Sequence, residues 1–241
     1  MTGSIRIGML TPSSNTALEP ISQAMLAGLD DVTVHFSRFP VTEIALSERA
    51  LAQFDDAKLV DAAGLLAHAR MDAIMWNGTS SGWLGFAADQ RLCAAITAAT
   101  GIPAGTSMLA LNQALAAGGA RRIGLVSPYL DAVQARIVDH YAALGFACAG
   151  ERHLGLADNF SFAEVAPETI AGMIRAVGAE RPDAIAVICT NLRAAPLVAA
   201  LERELGIPIY DTVATAVWSG LLLAGADPAR VTGWGRLFAS G

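Results

Sequence analysis

Short, continuously apolar runs alternate with longer segments of helical periodicity along most of the chain. The runs Ile5–Leu10, Ala73–Trp76, Ile102–Ala104, Ile123–Val126, Phe146–Ala149, Ile185–Ile188 and Ile207–Tyr210 read as strands, and Val32–Phe39 alternates like one. The spacing of apolar positions predicts helices over 17–28, 50–69, 86–99, 108–117, 132–144, 167–177, 195–205 and 212–223. In the 50–69 helix, Leu59, Ala62, Ala63 and Leu66 fall on one face. Strands without polar alternation are buried on both faces, and alternation with helices supplies the cover. The expected fold class is therefore α/β, with parallel sheets flanked by helices.

The pattern occurs twice. Asp72-Ala-Ile-Met-Trp76 leads into the turn Asn77-Gly78-Thr79-Ser80-Ser81-Gly82. Asp183-Ala-Ile-Ala-Val-Ile188 leads into Cys189-Thr190-Asn191-Leu192-Arg193. Each half later carries a Gly-Ile-Pro step, at Gly101 and at Gly206, followed by an Ala- and Leu-rich helix. The expectation is two pseudo-symmetric Rossmann-like halves, residues 1–119 and 120–225, with the active site in the cleft between them. The final segment, 226–241, is left as an extension that could pack back on the first half. In open parallel sheets, ligands sit beyond the carboxyl ends of the strands. The turns after Thr11, Gly78, Ser127 and Cys189 all fall there.

Composition narrows the function classes. Hydrophobic residues make up 54% and charged residues 16%, ample for a core. The net charge of -6, without a basic run, gives no footprint for nucleic acid. The most apolar stretch, 213–226, is broken by Thr, Ser and Gly and reads as a buried helix, so no membrane partner is expected. The amino terminus runs straight into a strand pattern, and the three cysteines cannot all pair within one chain. Reduced thiols and a cytoplasmic location are the simpler expectation. Homo-oligomerisation stays open.

The first strand-to-helix turn lacks the glycine spacing of a dinucleotide fingerprint, and no phosphate-binding Gly-x4-Gly-Lys loop occurs. No cofactor is expected. His35, His68, His140 and His153 lack metal-ligand spacing, so no metal site is expected either. His68 and His140 are expected on solvated helix faces, and His35 follows a strand alternation. Cys93 and Cys148 read as small core residues. Cys189 ends a strand before a helical pattern, where free N–H groups gather and a thiol pKa can fall. Thr79, Ser80 and Ser81 read both as helix caps and as a donor nest for a carboxylate or enolate oxygen. Tyr129 follows Pro128 at a strand exit and is expected to face the cleft. Asn159 is either a turn residue or a site residue. Trp76 and Trp83 are either core or pocket lining.

Together these residues resemble the aspartate/glutamate racemase superfamily, nearest its maleate cis-trans isomerase and arylmalonate decarboxylase branch. Thr11-Pro12-Ser13-Ser14-Asn15-Thr16 is similar to the isomerase opening, whereas Gly78-Thr79-Ser80 is similar to the decarboxylase turn. Ser127-Pro128-Tyr129, Asp158-Asn159 and Cys189-Thr190 fall where the family has its other active-site segments. The resemblance implies cofactor-free chemistry next to a carboxylate, usually with one cysteine per half. Here the first cysteine position reads Gly78, which has no side chain to serve as a second acid, base or nucleophile.

The leading expectation is a lyase that decarboxylates a malonate-type acid. Cys189 would protonate the carbon, and Thr79, Ser80 and Tyr129 would stabilise the enediolate. Asn15 and Asn159 would position the retained carboxylate, with Gly78 and Thr190 lining the site and Pro12, Ser13 and Ser14 contributing secondarily. The alternatives are an isomerase or racemase acting on a small mono- or dicarboxylate, and a non-catalytic carboxylate-binding module.

Overall fold

The computed structural model describes residues 4–239. Its first half runs β1 (Ile5–Pro12), α1 (Leu18–Leu26), β2 (Val32–Phe39), α2 (Glu48–Leu51), α3 (Asp56–His68), β3 (Ala73–Trp76), α4 (Ser81–Leu84), α5 (Phe86–Thr100), β4 (Ala104–Thr106) and α6 (Ser107–Ala117). The second runs β5 (Arg122–Val126), α7 (Asp131–Ala143), β6 (Ala147–Arg152), α8 (Pro167–Gly178), β7 (Ala184–Val187), α9 (Ala195–Leu205), β8 (Ile209–Asp211) and α10 (Thr212–Leu223). The strands form two four-stranded parallel sheets, ordered β2-β1-β3-β4 and β6-β5-β7-β8. The same order in each confirms the repeated α/β unit.

The duplication extends to backbone detail. Arg70 and Arg181 both adopt positive φ, 54° and 50°, two residues before Asp72 and Asp183. Each aspartate then accepts a backbone N–H from the start of the neighbouring central strand: Arg6 N at 2.7 Å from Asp72, and Arg122 N at 2.8 Å from Asp183. Gly101 and Gly206 end α5 and α9 in the left-handed conformation, which glycine enters without a Cβ penalty. The expected strands at 102–104 and 207–210 begin later, because the Gly-Ile-Pro step is spent turning the chain out of the helix.

The helix expected over 50–69 is broken into α2, a 3-10 turn at Ala52–Phe54, and α3. Asp55 is the reason: its backbone is extended, and its carboxylate accepts the Ala57 N–H at 3.0 Å, capping a new helix. The break leaves Phe54 beside the cleft.

Helix α10 starts at the end of the second sheet yet packs on α6, α1, β3 and β4 of the first. Gly220 makes this possible, since a Cβ there would lie 3.0 Å from Ile7 and 3.2 Å from Met75. Thr215 adds a hydrogen bond from its hydroxyl to the Ser107 carbonyl at 2.9 Å. The tail is divided: Arg230 pairs with Asp31 of the first half, and Arg236 N donates to Glu202 of the second at 2.8 Å. No described helix is long and apolar enough to cross a membrane.

Candidate active site

The carboxyl ends of both sheets open onto one cavity. The first half contributes Pro12, Val41, Ile44, Phe54, Trp76, Gly78, Thr79, Ser80 and Trp83; the second contributes Tyr129, Asn159, Cys189 and Thr190. Strand β3 delivers Gly78 and Thr79 two and three residues past its end, and β7 delivers Cys189 two residues past its own. The symmetry of the sheets therefore brings the two key turns to the same space.

Tyr129 links the two halves chemically. Its hydroxyl lies 2.7 Å from Thr79 Oγ1, and the phenol favours the thiolate of Cys189. Burial pushes Cys189 up to about 12, although the Asn191 and Leu192 N–H groups and Tyr129 favour its thiolate. This reverses the expectation of a lowered thiol pKa. A turn at 190–194, rather than a helix start, follows the cysteine, and desolvation outweighs the nearby donors. The resting group is a neutral S–H, suited to giving a proton. The same desolvation holds the Tyr129 phenol well above its ordinary value.

Gly78 faces a filled space. A Cβ on it would lie 2.1 Å from Trp76 Cζ2 and 2.3 Å from Cη2. The six-membered ring of the indole thus occupies the room that a side chain at 78 would need. Trp76 Nε1 donates to Ser80 Oγ at 3.4 Å, and Phe39 packs on the ring at 5.1 Å. Both Trp76 and Trp83 line the cavity. The short helix α4, which carries Trp83, went unread in the sequence: it lasts one turn and ends at Gly85, φ 93°.

Asn15 stands behind the wall. Its Nδ2 donates to Thr190 Oγ1 at 3.2 Å, while Oδ1 accepts the N–H groups of Ala17 and Leu18 at the start of α1. Asn159 is in the wall and donates to Ser14 Oγ at 2.7 Å. Ser13 and Ser14 both bond the Val41 backbone. Asn191, not singled out from sequence, ties three segments together. Its Oδ1 accepts from Thr16 N and Ala17 N, and its Nδ2 donates to the Asn159 carbonyl at 2.5 Å. Its place directly after Cys189-Thr190 was the available signal.

Two segments close over the site. Ile44 N donates to the Ala157 carbonyl at 2.8 Å, and Asn159 N to the Thr42 carbonyl at 3.0 Å. The remaining cavity is about 20 Å³, room for about one water. Of the histidines, His35 is exposed on edge strand β2, and His68 is exposed. His140 differs from its expected solvated position: it is half-buried with Nδ1 2.8 Å from the Gly82 carbonyl, where α7 packs on α4. Cys93 and Cys148 are only partly buried, on α5 and β6.

Two facing parallel sheets with a thiol, hydroxyls and amides at their shared carboxyl ends define an enzyme fold of the aspartate/glutamate racemase-like superfamily. The chain belongs to the arylmalonate decarboxylase family, whose model matches residues 7–238. It is 32% identical to an arylmalonate decarboxylase of Bordetella bronchiseptica over 67% of this chain and 68% of that one. It is 28% identical to a maleate isomerase of Pseudomonas putida over 95% of both. Among solved structures, a Nocardia farcinica maleate cis-trans isomerase variant with a covalently bound succinylcysteine intermediate superposes with a TM-score of 0.90. The identity there is 26%, covering 98% of this chain and 99% of that one. Unliganded arylmalonate decarboxylase gives 0.81 at 26% identity, covering 98% and 100%.

Proposed function

We propose that the protein decarboxylates a malonate-type dicarboxylic acid. One observation carries this reading: among the described residues the cavity holds a single thiol, Cys189, and the position facing it in the duplicated plan is a glycine whose side-chain space is filled by Trp76. Chemistry requiring two thiols has no second group to use. Decarboxylation requires one proton donor. The C–C bond to one carboxylate breaks, carbon dioxide leaves, and the electron pair enters an enediolate on the retained carboxylate. Thr79, Ser80 and Tyr129 supply hydroxyls for that oxyanion. The enediolate carbon then takes the Cys189 proton, and water returns a proton to the sulfur. Tyr129 and the Asn191 and Leu192 N–H groups favour the transient thiolate. Asn159 and the Asn15–Thr190 pair position the retained carboxylate.

The Thr11–Thr16 turn and the relatives matched over nearly full length support a second reading, cis-trans isomerisation of a small dicarboxylate. Carbon dioxide release from aryl- and alkylmalonates, run beside conversion of maleate to fumarate, separates the two. Release is expected from wild type and a loss of at least about a hundredfold from Cys189→Ser. Turnover of maleate alone, or equal release by both proteins, rejects the decarboxylase reading.

A further inference from the structure

The cavity is built to hold an acid, yet among the described residues no Lys, Arg or His side chain lines it. Recognition of a carboxylate there falls to neutral donors. Most of these are already engaged with one another. Asn159 Nδ2 is given to Ser14, Trp76 Nε1 to Ser80, and the Thr79 and Tyr129 hydroxyls share one hydrogen bond. Trp83 is different. It is 1% exposed and lines the cavity, and its Nε1–H has no partner. It is the one buried side-chain nitrogen of the described wall in that condition. A buried N–H without an acceptor is costly, and such groups are uncommon in folded proteins.

The position of the ring is fixed. Trp83 packs edge-on against Tyr129 with centroids 5.3 Å apart, and against Phe54 at 5.7 Å. Its neighbour Tyr129 is the hydroxyl bonded to Thr79, and it favours the thiolate of Cys189. The indole therefore stands beside the donor group assigned to the enediolate. We propose that Trp83 is a substrate-binding residue: its Nε1–H is held in reserve for an oxygen of the substrate carboxylate that meets Thr79 and Tyr129. This rests on the reading of Thr79 and Tyr129 as the oxyanion side of the site, but not on which bond the enzyme breaks. In a decarboxylation that carboxylate is the retained one, because an N–H donor against the departing group would oppose loss of its charge. The donor is neutral and cannot be titrated at working pH, so its contribution is the same in the acid and alkaline arms of a rate profile.

The test uses Cys189→Ser protein labelled with 15N at its four tryptophans, in which turnover is expected to be at least about a hundredfold slower. Phenylmalonate and maleate are titrated separately, and Trp83→Phe in the same background assigns the Trp83 indole resonance. The expected result is a downfield move of the Trp83 N–H on binding, and a dissociation constant weakened about ten- to a hundredfold by Trp83→Phe. Circular dichroism and Tm of the Phe variant establish that it folds. Should it not fold, Phe variants of the other three tryptophans assign the Trp83 resonance by elimination, and its response in the parent protein decides alone. Binding that shifts other signals while the Trp83 N–H stays in place, with unchanged affinity in the Phe variant, overturns the proposal. A Trp83 shift in a protein whose wild type releases no carbon dioxide leaves this inference standing and removes only the decarboxylase reading. Failure of every acid to bind sinks both.

Discussion

A glycine and a tryptophan two residues apart decide what the first turn can do. Gly78 is required less for backbone freedom than for the absence of a Cβ, because the Trp76 indole has taken that volume. The two positions are therefore coupled. Gly78→Ala is expected to lower stability by about 1–3 kcal/mol through overpacking. In a Trp76→Leu background the same change should cost less than half as much, since the obstructing ring is gone. Urea denaturation of the four proteins measures the coupling; equal costs in both backgrounds would show that the indole does not sit on Gly78. It follows that Gly78→Cys alone is a poor probe of paired-thiol chemistry, because the new side chain must first displace the indole. The thiol side was equally hard to read in the sequence. Its place at a strand end suggested a lowered pKa, but burial, a property of the whole packed cleft, pushes it up instead.

Among the elements, the β8–α10 junction shows how a buried charge is tolerated beside the site. Asp211 is 1% exposed; its Oδ1 accepts Val213 N at 2.8 Å and Ala214 N at 3.1 Å, while Oδ2 has no partner. Burial pushes its carboxyl up to about 7 against a usual 3.8. The folded state thus holds the proton more tightly than the unfolded chain. The stability this group contributes is whole below about pH 3.8 and is lost as pH rises toward 7. Asp211→Asn keeps the helix-capping oxygen and removes the charge. The variant should match wild type near pH 4 and exceed it by about 1–3 kcal/mol near pH 7.5. Thermal melts across that range check the sign; a variant less stable at pH 7.5 would show that the carboxylate is stabilised there. Thr212, next in the chain, accepts the Cys189 N–H at 3.2 Å, so this junction also fixes the cysteine backbone.

For the molecule as a whole, the cleft is shut by main-chain bonds between 42–44 and 157–159, and about 20 Å³ is too little for a dicarboxylate. These bonds must open for substrate to enter. Amide hydrogen exchange at Ile44 and Asn159 should run faster than in β1 or β7, and should slow when a dicarboxylate is bound. Protection in the free protein equal to that of the central strands would mean that entry follows another route. The segments concerned lie between the apolar-periodic elements, and their pairing was not legible for that reason. An isolated bridge between Glu43 and Asp158 spans 115 positions of chain, and no local pattern encodes it.

The order of strands and helices, the duplication and the two turns followed from the sequence, because apolar period and glycine placement act over a few residues. The same local signals marked Cys189, Thr79, Tyr129 and Asn159 as residues to watch. What only the tertiary structure decided was their surroundings. Which ring fills the space at Gly78, which donor lacks a partner, how far burial moves the thiol, and which half α10 covers all depend on residues distant in the chain. Desolvation and steric exclusion are sums over neighbours from many segments, and a linear pattern specifies those neighbours only after the chain has folded.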